Sequence, residues 1–208
     1  MNQEFWLSKW KNNTIGFHRG QPNELLLKHA TWSTDGPCTI LVPLCGKSVD
    51  LLWLAERGHS VVGVELSEMA AAAFFEEAGL SPTVQQKGAF QSYSHGPIEI
   101  LCGDLFDFKT TDLTAIGGVY DRASLVALPE NLRKKYASWL AAGLSANTEL
   151  FLISVQYAVG ARKGPPFSVA EQEVTALFEQ SFVIKKLGTT PATDLKDCDE
   201  VCYRIVRR

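Results

Sequence analysis

The stretch Cys38-Thr39-Ile40-Leu41-Val42-Pro43-Leu44-Cys45-Gly46-Lys47-Ser48 and its continuation Ser60-Val61-Val62-Gly63-Val64-Glu65 decide the fold. Residues 38–44 are apolar and partly β-branched without polar alternation, the pattern of a strand buried on both faces. From residue 48 the period changes: Leu51, Leu52 and Ala55 follow helical spacing, and Gly58 supplies a stop. A second apolar strand then runs from Ser60 to an acid, Glu65. Strand, turn, helix and strand in this order imply parallel pairing. In such sheets ligands bind at the carboxyl ends of the strands.

Working outward, the alternation continues. Residues 69–78 read as a helix closed by Gly79, and residues 98–102 and 118–121 as short strands. Residues 129–142 carry Leu132, Tyr136, Trp139 and Leu140 on one helical face, and residues 150–156 form another strand. Ser168 and Glu171 have the spacing of a capping box before a helix with Val174, Leu177 and Phe178. Two strand-like runs, 182–187 and 200–206, close the chain with no helix between them, so they are expected to pair antiparallel at the sheet edge. Upstream, Trp6 and Trp10 stand at i, i+4, Pro22 precedes Leu25, Leu26 and His29, and a glycine-bounded loop separates these two short helices. The expectation is an α/β, doubly wound, Rossmann-like and mostly parallel sheet beneath an N-terminal helical cover at residues 1–35.

A chain of 208 residues fits a single domain, here residues 1–208, large enough to fold without metals or disulfides. Its net charge of −3 and lack of a basic run disfavour nucleic-acid or anionic-membrane partners. No apolar stretch approaches the roughly 20 residues of a membrane span, and the N-terminus lacks the apolar core of a signal peptide, so a cytoplasmic protein is expected. Five scattered cysteines without a CxxC pair read as buried apolar side chains, with no metal site and no disulfide framework.

Candidate chemistry lies at the strand ends. Gly46-Lys47-Ser48 resembles the tail of a phosphate loop, but the required first glycine falls on Leu41, which belongs to the strand. The GxGxxG of a dinucleotide fold is also missing, since only Gly46 is present. Glu65, nineteen residues after Gly46, does occupy the place of an acid that holds a ribose diol. A ribose acid without a pyrophosphate loop fits a nucleoside cofactor lacking phosphates, S-adenosyl-L-methionine; the alternative is a solvated acid after a strand. Asp104 and Leu105 end the third strand: Asp104 either accepts from the adenine amine, with Leu105 over the ring, or caps a turn. Asp121 and Arg122 are either a structural ion pair or an Arg122 facing ligand with Asp121 orienting it.

These residues resemble the thiopurine S-methyltransferase family, its bacterial members in particular, over nearly the whole chain. The likeness rests on Trp6 and Trp10 with Gly16-Phe17-His18, on Pro43-Leu44-Cys45-Gly46-Lys47, and on the run from Arg57 to Glu65. It continues through Tyr120-Asp121-Arg122-Ala123-Ser124-Leu125-Val126-Ala127-Leu128 and Gly164-Pro165-Pro166-Phe167. The resemblance implies a class I methyltransferase with seven strands, the last antiparallel, using S-adenosyl-L-methionine. It implies cofactor contacts at Trp10, Leu44, Glu65 and Arg122, with Asp104 and Leu105 at the adenine, and an acceptor pocket lined by Phe17 and Arg122. It further implies a monomer that methylates the sulfur of small aromatic or heterocyclic thiols such as thiopurines, with selenium and tellurium species as further acceptors. Halide or thiocyanate-type anions are the alternative. No side chain stands out as a general base, so no catalytic residue is assigned. Phe167 and the loop before it are either a crossover connection or one side of a lid.

Overall fold

Apolar runs without polar alternation become the parallel strands of the protein. The structure, a computed structural model, describes residues 3–30, 32, 36–193 and 195–208. Positions 1, 2, 31 and 33–35 of the expected helical cover lie outside the described residues. The chain divides into two compact units, one holding the described residues of 2–24 and 33–108, the other those of 25–32 and 109–208.

The first unit starts with helix α1 (Gln3–Lys11); the next helix along the chain is the short α2 (Glu24–His29), which from Leu25 onward belongs to the second unit. Strand β1 (Thr39–Pro43), helix α3 (Asp50–Glu56), strand β2 (Ser60–Glu65), helix α4 (Glu68–Glu77) and strand β5 (Ile98–Cys102) follow, with β3 (Thr83–Lys87) and β4 (Phe90–His95) inserted before β5. The strand order here is β3-β4-β5-β2-β1. β1, β2 and β5 are parallel, with Leu41 opposite Val62 and Val64 opposite Leu101. α3 ends where Gly58 takes φ +87°. α4 starts on Ser67, whose side chain accepts from the Ala70 N–H, and stops at Gly79. β3 and β4 form an antiparallel hairpin added to β5, and every residue of β3 is exposed.

The second unit runs through α5 (Thr110–Leu113), β6 (Gly118–Asp121), α6 (Ser124–Ala127), α7 (Glu130–Gly143), β7 (Glu149–Gln156), α8 (Glu171–Phe178), β8 (Phe182–Pro191) and β9 (Asp199–Arg207). Its strand order is β6-β7-β9-β8. β6 and β7 are parallel, whereas β9 is antiparallel to both β7 and β8, with a register shift between Lys186 and Gly188. The expected closing hairpin is therefore present.

Two expectations are corrected. The described residues form nine strands rather than seven, the excess being β3 and β4. Ser168 does not cap α8: the cap residue is Ala170, which leaves Glu171 at the first helical position, where it cannot reach back as a capping box requires. The Ser168 hydroxyl is instead committed to Tyr157, accepting from its N–H (3.0 Å) and donating to its carbonyl (3.1 Å).

Candidate functional site

The turn after β1 is built from two residues in the left-handed region, Leu44 at φ +47° and Gly46 at φ +55°. Between them the Cys45 N–H donates to the Val64 carbonyl (3.1 Å), folding the turn back over the end of β2. A left-handed leucine costs roughly 1–2 kcal/mol, so something must hold it. That holder is Glu65. Its buried carboxylate accepts from the Gly46 N–H at Oε2 (2.8 Å) and from the Ser67 N–H at Oε1 (2.8 Å). One side chain thus fastens the turn after β1 to the turn after β2. Burial pushes the Glu65 pKa up, and the backbone amides of Ser67, Gly46 and Leu66 work against it. Each oxygen accepts one well-formed amide hydrogen bond, which leaves acceptor capacity for a pair of vicinal hydroxyls.

Trp10 completes this corner. It is buried on α1, and a Cβ placed on Gly46 would stand 3.1 Å from its Cζ2 atom. The indole therefore lies on the backbone of the turn, and Gly46 is required for both its conformation and its lack of a side chain. Phe17 meets Trp10 edge-on with ring centroids 5.5 Å apart and meets Trp6 at 5.7 Å. Trp6 is half-buried, while Phe17 keeps 39% of its surface exposed and so forms the open face of the group.

At the end of β5 the Gly103 N–H donates to the Glu65 carbonyl (2.9 Å), which places Asp104 one strand over from the Glu65 carboxylate. Asp104 caps a short 3₁₀ turn at Leu105–Asp107, its Oδ1 accepting from the Phe106 N–H (2.9 Å). Oδ2 accepts from the side-chain amide of Gln3 (2.8 Å). Leu105 is buried beneath this turn. Trp10, Phe17, Leu44, Glu65, Asp104 and Leu105 all belong to the first unit.

Arg122 lies in the second unit, half-buried, directly after β6. Asp121 does not orient it. The buried Asp121 carboxylate turns the other way, Oδ1 accepting from the Ser124 (2.8 Å) and Leu125 (3.4 Å) amides and so capping α6. No ion pair joins Asp121 to Arg122 among the described residues, because adjacent residues leaving a strand project to opposite faces. Burial pushes the Asp121 pKa up to about 6, against the pull of the Tyr136 hydroxyl and of the Ser124, Leu125 and Ala123 amides. The Tyr136 hydroxyl thus stands beside Asp121, but off good hydrogen-bond geometry, since Oδ2 and that hydroxyl both lack a well-formed partner.

The loop containing Phe167 is tied down in the same unit. The Phe167 N–H donates to the Val126 carbonyl of α6 (2.6 Å), and the Tyr157 hydroxyl donates to the Pro166 carbonyl (2.8 Å). The Arg133 guanidinium, paired with Glu173 at 2.6 Å, lies 5.8 Å from the Phe167 ring centre. These contacts tie residues 166 and 167 to α6 and to Tyr157. Four of the five cysteines are buried and all are free thiols; burial raises the pKa of Cys45 and Cys102, with Glu65 adding to the effect. No cluster of His, Cys, Asp and Glu among the described residues is arranged to hold a metal ion, and no helix among them is long and apolar enough to cross a membrane.

The corner made by Gly46, Glu65 and Trp10 fits S-adenosylmethionine on its own chemistry. It offers a carboxylate for hydroxyls and aromatic faces for a positive sulfur, and no glycine-rich cradle for phosphate. The distance from Gly46 to Glu65 singled out the acid in the sequence, and the structure adds that its carboxylate holds the turn. The Gln3 contact with Asp104 left no trace in the sequence, since a polar residue at the start of a helix carries no signal.

The chain is also similar to known proteins. A family model described as Thiopurine S-methyltransferase (TPMT) matches residues 1–200. Proteins named thiopurine S-methyltransferase from Bordetella petrii and Azotobacter vinelandii are 39% and 42% identical, each aligned over 100% of both chains. Among solved structures, magnesium protoporphyrin IX methyltransferase from Synechocystis, with bound S-adenosylhomocysteine, superposes with a TM-score of 0.68 at 15% identity, covering 99% of this chain and 98% of that one. This last likeness speaks for a class I methyltransferase fold.

Proposed function

Since the chain belongs to the thiopurine S-methyltransferase family, we propose that it transfers the methyl group of S-adenosyl-L-methionine to the sulfur of small aromatic or heterocyclic thiols, thiopurines among them. The whole chain serves as one methyltransferase domain, a cytoplasmic monomer with small-molecule partners. The observation that carries the reading is the buried Glu65 carboxylate at the end of β2, with both oxygens fixed by backbone amides beside Trp10.

Glu65 receives the ribose hydroxyls on its remaining lone pairs, and Asp104 receives the adenine amine with Leu105 beneath the base. Leu44 and Trp10 wall the methionine end, where the Trp10 ring attracts a sulfonium with roughly 0.5–2 kcal/mol. When bound, S-adenosylmethionine supplies a methyl group on positively charged sulfur. Attack by a thiolate on that methyl would form a neutral thioether as the sulfonium carbon–sulfur bond breaks and S-adenosylhomocysteine leaves. Charge disperses toward the transition state, so the chain contributes alignment and exclusion of water rather than proton transfer. Phe17 provides an apolar wall for the acceptor. Arg122, assigned to cofactor and acceptor by the family resemblance, brings a guanidinium that favours the thiolate form. Aromatic thiols ionise readily enough that no dedicated base is required. Selenium and tellurium nucleophiles, softer still, suit the same displacement.

The test is an acceptor panel of a thiopurine, thiophenol, selenite and iodide, run with methyl-labelled cofactor. Label on the thiopurine and thiophenol is expected. Label on iodide alone would replace this reading with a halide methyltransferase, and cofactor binding without transfer to any acceptor would remove the enzymatic reading.

A further inference from the structure

Helix α1 is fastened at both ends of one face. Gln3 donates its side-chain amide to Asp104 Oδ2 (2.8 Å), 101 residues away, while Trp10 lies against Gly46. The two residues are seven apart, two helical turns and about 10.5 Å of rise, so they share a face. That span is comparable to an adenosine measured from its base to its 5′ sulfur. The helix therefore runs from the carboxylate assigned to the adenine to the turn assigned to the methionine end.

What Gln3 does to Asp104 follows from counting lone pairs. The Phe106 N–H uses one site on Oδ1, and the Gln3 amide uses one on Oδ2. Held at one oxygen alone, a partly exposed carboxylate can turn about its last bond. Held at both, its plane is set and the remaining lone pair of Oδ2 has a defined direction. A 6-amino purine presents a donor to that lone pair. A 6-oxo purine presents a carbonyl oxygen, which the carboxylate repels.

We propose that Gln3 is a positioning and specificity residue for the purine of the cofactor, holding Asp104 so that its free lone pair selects a 6-amino over a 6-oxo group. The inference rests on the assignment of Asp104 to the adenine made above. Gln3 acts through Asp104, and it makes seating of the N-terminal helix part of base recognition.

The experiment is calorimetry on the full chain with S-adenosylhomocysteine and with its inosine counterpart, in which a 6-oxo group replaces the amine. Gln3→Ala is expected to weaken the adenosyl ligand by about five- to tenfold, to leave the inosyl ligand unchanged and so to narrow the preference. In turnover it should raise KM for the cofactor while kcat holds. Gln3→Glu, which sets a second carboxylate against Asp104, should weaken the adenosyl ligand further. An equal loss for both ligands, or no loss, overturns the proposal, because a merely structural helix contact would not distinguish the bases. Asp104→Asn separates the two assignments. If it leaves the preference intact, Asp104 does not read the adenine; if it abolishes the preference while Gln3→Ala does not, only the role of Gln3 falls.

Discussion

Replacing Asp121 by Asn removes a carboxyl that burial has pushed from an ordinary 3.8 up to about 6. A group that holds its proton more tightly in the folded chain than in the unfolded one makes the native state bind more protons between those two values. Stability therefore falls as pH rises through that window. The contribution is complete below about pH 3.8 and gone once the pH has passed about 6. At 1.36 kcal/mol per pH unit it amounts to about 3 kcal/mol in full, and roughly 2 kcal/mol of it is lost between pH 4 and pH 7. The carboxamide of the variant would keep one carbonyl for the Ser124 and Leu125 amides and gain an NH₂ that can donate toward the Tyr136 hydroxyl, so D121N is expected to fold.

Urea unfolding of the wild type and D121N at matched pH values yields a difference from which every other titrating carboxyl cancels, Glu65 and Glu149 included. That difference, wild type minus variant, should drop by roughly 2 kcal/mol from pH 4 to pH 7 and then level off. A flat profile would mean that Asp121 titrates normally and is not desolvated. A profile rising with pH would mean that the Ser124 and Leu125 amides outweigh burial, reversing the sign argued above.

Glu65→Gln places an NH₂ opposite one of the two backbone amides that the carboxylate now accepts. It should lower the melting temperature and weaken S-adenosylhomocysteine by about 10- to 100-fold, the scale of a hydrogen bond to a charged group; unaltered calorimetric affinity in a folded variant would take Glu65 off the ribose. Gly46→Ala puts a Cβ at φ +55° and 3.1 Å from Trp10. It should cost about 1–2 kcal/mol in stability and shift the tryptophan emission as the indole is displaced, and an emission spectrum identical to wild type would contradict the packing described.

The parts of the fold that were legible are those whose burial leaves a one-dimensional trace. β1 and β2 read as strands because parallel strands covered on both faces must be apolar at successive positions, and β2 is found between Ser60 and Glu65 as expected. β3 left no trace. Thr83-Val84-Gln85-Gln86-Lys87 is exposed throughout, so nothing selects for apolar alternation, and its pairing with β4 is made by backbone groups that every sequence carries. Ser168 and Glu171 misled for a related reason: a three-residue spacing says nothing about which backbone group a hydroxyl reaches, and here it bonds to Tyr157. Asp121 and Arg122 invited pairing because they are adjacent in sequence, yet adjacency on a strand sends side chains apart.

At Asp104 and Glu65 the backbone hydrogen bonds that the structure shows need not compete with the binding roles proposed for them. A carboxylate that accepts one N–H per oxygen has spent half of its acceptor capacity, and the spent half fixes the direction of the rest. At Glu65 the Gly46 amide does this while holding a turn in which Leu44 is left-handed at a cost of roughly 1–2 kcal/mol. A hydroxyl pair arriving on the free lone pairs would lie against the turn that its own acceptor stabilises. Ligand and turn would then favour each other, and the left-handed Leu44 would be held most firmly when the site is filled. Amide hydrogen exchange at Cys45 and Gly46 reads this coupling directly: S-adenosylhomocysteine should slow both amides in the wild type, and in Glu65→Gln should slow them much less at equal occupancy. Equal protection in the two proteins would separate the turn from the carboxylate and leave the strain at Leu44 without a role in binding.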